Sequence, residues 1–205
     1  MKKLKLFIPI LLVLAISNIS CSVYQTCVNL SRLKFKLSTV TDYTLSGVNI
    51  SNKRSLNDLS AIEAVKLTAS FVNRSMPASF TLNINALNPN NGSGGYPSTN
   101  ATIVSFPWRL LIDGKETITG DISNPVTVPG TGQETVIPIR ISIDLYKFIS
   151  NKDYNGILNL AMNLSGNSTG TSSSITVYAR PTVSTAIGNI SYPQEVKIVN
   201  LEYSK

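Results

Sequence analysis

Between Ala78 and Asn91 the chain reads Ala-Ser-Phe-Thr-Leu-Asn-Ile-Asn-Ala-Leu-Asn-Pro-Asn-Asn, and this stretch limits the available folds more than any other. Phe80, Leu82, Ile84 and Ala86 alternate with Thr81, Asn83 and Asn85, the period-two pattern of a strand with one buried face. The pattern stops at Asn88-Pro89-Asn90, because proline has no backbone donor to continue a ladder and asparagine tolerates turn geometry. A strand buried on one face needs a second layer to cover that face, so the rest of the chain has to supply more sheet.

It does. Leu33, Phe35 and Leu37 alternate with Lys34 and Lys36 to give a first strand. Tyr43, Leu45, Val48 and Ile50 predict a second, with Gly47 placed for a bulge. Ala101 to Phe106 forms another strand. Trp108, Leu110 and Ile112 share one face of the next, Asp113-Gly114 is a favoured two-residue turn, and Ile118 and Ile122 return antiparallel. Alternation with Leu110 and Ile112 assigns Trp108, the one tryptophan, to the core rather than to a ligand platform. Val126 and Val128 precede the turn Pro129-Gly130-Thr131-Gly132. Ile137, Ile139, Ile141, Ile143 and Leu145 then make the longest alternation, with Pro138 marking an edge or a bulge. Ile175, Val177, Ala179, Ile187, Ile190, Val196 and Ile198 close the series. Two stretches read as helix. Ser55 and Asp58 cap a run with Leu59, Ile62, Val65, Ala69 and Val72 at helical spacing, read as packing on the core. Tyr154, Ile157, Leu158, Ala161 and Met162 follow a short helical segment from Tyr146 to Ser150. The expected fold is mostly β, an antiparallel β-sandwich of immunoglobulin or fibronectin III type with one or two peripheral helices.

An apolar strand running into Asn88-Pro89-Asn90, followed by Phe106-Pro107-Trp108-Arg109-Leu110-Leu111-Ile112-Asp113-Gly114-Lys115, resembles the water-stress and hypersensitive-response domain of the late embryogenesis abundant type 2 family and its bacterial lipoprotein relatives. The resemblance spans roughly Leu33 to Val199 and departs from simpler members in the helical stretch near Leu56 to Val72. It implies a stress-protective or structural role, with Asn88, Pro89 and Asn90 as the family motif.

The amino terminus is a leader. Met-Lys-Lys-Leu-Lys-Leu precedes the apolar run Phe7 to Ile16, too short to cross a bilayer, and Ser20 supplies the small residue before Cys21. The reading is a bacterial lipoprotein signal over residues 1–20, a lipid on the Cys21 sulfur, a tether over 21–32, and one sandwich domain over 33–205. Asn18, where such leaders usually carry leucine, makes the processing signal degenerate, and simple secretion is the alternative. Lipid attachment implies the membrane as a partner and the bacterial envelope, at its outer membrane, as the location. Cys27 is left as an odd thiol, free, buried or paired between chains.

Composition removes whole classes of chemistry. The chain of 205 residues contains no histidine, which excludes Ser-His-Asp catalysis and removes the commonest general base and metal ligand. No cofactor or metal is expected. Of 18 basic residues, Lys2, Lys3 and Lys5 lie in the leader, and the remaining excess over 11 acidic residues is too small, and too scattered, for nucleic-acid binding. Asp113 with Glu116 and Asp144 with Asp153 are the carboxylate pairs available for acid and base work, but both sit where acids serve turns and helix ends. The expectation is a non-catalytic, lipid-anchored envelope protein with a protective, structural or binding role. The alternative is a carbohydrate- or peptide-binding accessory module using Gly92 to Tyr96, Tyr146 and Tyr154, with an envelope protein or a glycan as its partner.

Overall fold

A computed structural model describes residues 32–53, 55–93, 98–148, 153–165, 174–185, 187–199 and 204. Twelve strands, β1 to β12, and three α-helices, α1 to α3, follow in chain order among them.

The alternating stretch that stops at Asn88 forms β3, Pro77–Leu87, with Phe80, Leu82, Ile84 and Ala86 buried. It lies at the centre of a sheet in the order β2-β1-β3-β8. On one side it pairs antiparallel with β1, Lys34–Leu45. On the other it pairs with β8, Glu134–Asp144, in unbroken register from Pro77↔Asp144 to Leu87↔Glu134. One strand thus takes the place of the two expected before the helix. It is kinked by register shifts between Leu37 and Val40 and between Thr41 and Thr44, with Asp42 at φ 55°. Gly47 is not at a bulge. With Ser46 it forms the two-residue turn, both at positive φ, into β2, Val48–Asn49, as hairpins require.

The second layer consists of two four-stranded sheets that meet at a bend. β4, Ala101–Ser105, sits in the order β11-β10-β4-β7, and β5, Trp108–Ile112, in the order β12-β9-β5-β6. Their partners are β10, Thr182–Thr185, and β9, Ile175–Ala179. The two pairings are joined across the bend, where the Arg180 N–H donates to the Pro107 carbonyl at 2.9 Å. Pro107 and Pro181 interrupt the ladder on both strands at the same level, so the layer folds over there. The outer strands are broken alike, into β6, Lys115–Gly120, and β7, Val126–Val128, on one side, and β11, Gly188–Ser191, and β12, Val196–Ile198, on the other. The expected hairpin is present, with Asp113 and Gly114 at φ 50° and 77°, but its return strand holds Ile118 and ends at Gly120, short of Ile122.

The two layers enclose one core. Phe35 meets Phe106 at 5.4 Å between ring centroids, Tyr43 stacks on Phe80 at 4.9 Å, and Leu82, Ile84, Ile103, Leu110, Ile137 and Val177 are fully buried between them. Trp108 is buried as expected, and its ring lies so close over Gly120 that a Cβ there would come within 2.5 Å of it. The chain is therefore an antiparallel β-sandwich with peripheral helices.

The helices differ in detail from expectation. Ser55 and Asp58 cap only a 3₁₀ turn, Leu56–Asp58. The α-helix α1, Ala61–Val72, starts at a second capping box, in which Ser60 Oγ accepts from the Glu63 N–H and the Glu63 carboxylate accepts from the Ser60 N–H. Its packed face is Ala64, Leu67 and Phe71. Ile62, Val65, Ala69 and Val72, read as core-facing, are exposed, Ile62 by 82% and Val72 by 72%. The helix carries two apolar stripes, and periodicity alone does not say which one meets the core. The short helix α2, Leu145–Phe148, and α3, Tyr154–Leu164, close one end of the sandwich, with Ile157, Leu158, Leu160, Ala161 and Leu164 in the core.

Ile84→Ala removes buried methyl groups at the centre of β3 and should cost about 2 to 5 kcal/mol. Asn83→Ala, on the outer face where its amide donates to Thr39 and Thr41 hydroxyls, should cost about 1 kcal/mol or less. Denaturant titration of both variants checks the register; equal losses contradict it.

At the start of α1 the Ser60 N–H, and then Lys53, hold the Glu63 carboxyl down from 4.5 to about 2. A folded-state value below the ordinary one means the cap contributes fully above the ordinary carboxylate range and is lost as the pH falls through about 2. Protection of the Ser60 amide and of the first turn of α1, taken relative to intrinsic exchange at each pH, should therefore fall over that acid window. The fall should be absent from Glu63→Gln, whose side chain does not titrate.

Candidate functional site

The motif Asn88-Pro89-Asn90 is a buried clamp. Asn88 has no exposed surface and Asn90 is 3% exposed. The Asn88 amide donates to the Thr99 carbonyl at 2.8 Å and to the Val128 carbonyl at 3.1 Å, while its oxygen accepts from the Asn90 backbone N–H at 3.1 Å and the Asn90 side chain at 2.9 Å. The Asn90 carbonyl in turn accepts from the Thr99 N–H. The end of β3 is thereby bonded to the approach to β4 and the end of β7, which belong to the opposite layer. Gly130 passes so close that a Cβ would lie 2.6 Å from the Asn90 and Thr99 carbonyl oxygens. Every polar arm of Asn88 is used internally, so this residue locks the layers together and presents nothing to a ligand.

The acids proposed as pairs are likewise occupied, each by its own partners. Asp113 accepts from the Ser174 N–H, and Glu116 is 3.2 Å from Arg109. That guanidinium also meets Glu195 at 2.8 Å and lies 4.3 Å over the Tyr178 ring. Asp144 accepts from the Met76 and Tyr146 N–H groups and the Ser75 hydroxyl, and Asp153 caps α3 through the Gly156 N–H. Tyr146 and Tyr154 both pack on Phe71, each in a T-shaped pair, at 5.5 and 5.4 Å between ring centroids. Cys21, Cys27, Tyr96 and the glycines Gly94 and Gly95 lie outside the described residues. Among the described residues no group of three or more acidic or cysteine side chains is placed to hold a metal ion.

What the sequence reasoning did not assemble is a groove beside β8. The Met76 carbonyl accepts from the Leu145 N–H, and the Pro77 carbonyl accepts from the Ser46 N–H. Even-numbered residues of β3 therefore address β8 and odd-numbered ones address β1, since both polar groups of a strand residue point the same way. By the observed register, Thr135, Ile137, Ile139, Ile141 and Ile143 bond back to β3. Val136, Pro138, Arg140 and Ser142 turn their backbone groups outward, and β8 is the last strand of its sheet. Along this edge runs a groove of about 370 Å³ lined by Ile122, Val126, Ile137, Pro138, Ile139 and Arg140, with Asp121 to Asn124 as its far wall. Pro138 had signalled the edge; the wall, supplied by the break between β6 and β7, had no signal of its own. The other edge of the sheet is covered in part, by β2 and by the Leu37 N–H bond to the Val199 carbonyl.

No family model matches this chain, and no curated protein matches it. Among solved structures, a crystal structure of a protein from Archaeoglobus fulgidus aligns over 82% of this chain and 99% of that one at 12% identity and a TM-score of 0.33. A solution structure of a protein from Arabidopsis thaliana aligns over 78% of each chain at 14% identity and a TM-score of 0.33. Likenesses this distant assign neither a family nor a ligand.

Asn88→Ala should cost roughly 2 to 4 kcal/mol, because two carbonyls and the Asn90 N–H lose their partner in a buried site. Asn88→Asp should cost more, since a carboxylate oxygen then faces the Thr99 and Val128 carbonyls. Pro89→Ala should cost about 1 kcal/mol or less. Thermal or denaturant unfolding of the three variants orders them; a neutral Asn88→Ala contradicts the clamp.

Proposed function

We propose that this is a non-catalytic, lipid-anchored protein of the bacterial envelope, related to the late embryogenesis abundant type 2 kind, with a structural, protective or binding role. The observation that carries the reading is the sequence join of leader and domain. A charged start, a short apolar run and Ser20-Cys21 precede, across a tether over 21–32, a compact sandwich whose first strand begins at Lys34. A domain tethered so closely works at the membrane surface.

The sandwich supports the non-catalytic part by how it spends its polar side chains. Asp113, Asp121, Asp144 and Asp153 each hold backbone N–H groups at turns and helix starts, and Glu116 and Glu195 are held by Arg109. A general acid or base needs a shifted acid aimed at a cleft; these acids are aimed at the protein's own backbone or at Arg109. The Asn-Pro-Asn resemblance fits a structural motif for the same reason. The peptide-binding alternative also has an observation in its favour, the outward-facing edge of β8.

Cys21→Ala should move the protein from the membrane fraction to the soluble extract or culture fluid. Intact mass spectrometry of the membrane-extracted parent should show a chain beginning at Cys21 and carrying added acyl mass. An unmodified cysteine, or a different first residue, overturns the anchor.

A further inference from the structure

We infer that the edge of β8 is a docking site for an extended segment of a partner protein, which adds to the sheet as a further strand and lays apolar side chains in the groove against Ile122 and Val126. This deepens the binding role proposed above and does not depend on the lipid.

The backbone dictates the form of the occupant. Val136, Arg140 and Ser142 offer N–H groups on the outward side, and Val136, Pro138, Arg140 and Ser142 offer carbonyls. Only another extended chain meets such a row in register. Side chains of an added strand alternate as those of β8 do. Residues level with Ile137 and Ile139 point inward to Ile122 and Val126, and the residue level with Arg140 points to the outer face. Arg140 is exposed there and makes no ion pair or hydrogen bond among the described residues, so a carboxylate is the complementary group. The occupant is therefore apolar, acidic, apolar along its length.

A second copy of this chain fits poorly. Two β8 strands related by a dyad set an isoleucine level with both Ile137 and Ile139 in three registers, whereas centring on Ile137 opposes Glu134 to Arg140 but sets Thr135 against Ile139 and loses the Pro138 donor opposite Val136. Centring on Pro138 sets two donorless nitrogens against each other, and centring on Arg140 opposes two guanidinium groups. Centring on Ile139 opposes Pro138 to Arg140 and Glu134 to Asp144. A register centred on Ser142 leaves the groove empty and runs into α2. Like charges and lost bonds at these positions disfavour self-pairing.

The test uses the full-length protein expressed with its own leader and purified in mild detergent. The probe is a fluorescein-labelled seven-residue peptide with valine at alternate positions, glutamate at the centre and threonine elsewhere. Saturable binding is expected, together with slowed hydrogen exchange at the Arg140 and Ser142 amides. Arg140→Glu, and Ser142→Pro, which removes an outward donor without touching the ladder to β3, should each weaken binding about tenfold or more. The same peptide methylated at alternate backbone nitrogens should not bind. Three results would sink the proposal: no saturable binding, binding without protection of those amides, or amides already slow in the protein alone. Slow amides that accompany a dimer mass in sedimentation assign the edge to a second copy. Slow amides in a monomer assign it to a segment of the same chain. Failure of the Cys21→Ala experiment leaves this outcome untouched, because the peptide readout does not involve the membrane.

Discussion

The side-chain amide of Asn88 is buried where an apolar strand has to end, and the sandwich is organised by how that amide is satisfied. A buried amide without partners costs several times what one ordinary hydrogen bond contributes net. Here the two donors reach carbonyls of two different connections in the opposite layer, and the oxygen holds the next turn of the chain. Hydrophobic burial brings two faces together without fixing their relative position; directional bonds from the end of β3 to Thr99 and Val128 do fix it. The close pass of Gly130 then follows, since only a residue without a Cβ fits beside the Asn90 and Thr99 carbonyls.

A second constraint comes from the bend in the other layer. Pro107 and Pro181 break the ladder on neighbouring strands at one level, and the groups released there are collected by side chains. Asp121 accepts from the Phe106 N–H and the Ser105 hydroxyl, and Arg180 Nε donates to the Tyr192 carbonyl at 2.7 Å. The fold thus consumes much of its small stock of charged side chains in capping. That is why pairs of acids close in sequence, such as Asp113 with Glu116, separate into different structural tasks instead of converging on a cleft.

The parts legible in the sequence are those where local pattern and tertiary demand agree. The alternation of β3 and β8, the Asp113-Gly114 hairpin, the burial of Trp108 and the stop at Asn88 all follow from period, turn chemistry and size. The parts that were not legible depend on a choice made by a distant partner. Helix α1 offers Ala64, Leu67 and Phe71 on one side and Ile62, Val65, Ala69 and Val72 on the other, and Tyr146 and Tyr154 decide in favour of the side that carries Phe71. Gly47 suits a bulge or a turn equally, and pairing of β2 with the end of β1 selects the turn. The clamp was visible as a stop signal, but its partners Thr99 and Val128 are 11 and 40 residues from Asn88, beyond any local pattern.

The same logic separates the two unpaired surfaces. The exposed stripe of α1 is apolar and undirected, so any greasy surface satisfies it and its shape names no occupant. The edge of β8 is directed: outward donors and acceptors recur every second residue, one donor is deleted at Pro138, and a cation stands exposed two residues on. A strand edge is protected from aggregation by shortening, bulging or covering, or by a proline or a charge upon it, and β8 carries the last two in Pro138 and Arg140. β8 pairs with β3 through all its residues, holding its other edge straight, and Pro138 removes a bond that a second copy of β8 would need in its central registers. A foreign strand loses only that one bond at Pro138 and keeps those on either side. The deletion therefore acts more strongly against self-association than against a partner, which is the asymmetry expected of an edge kept open for use.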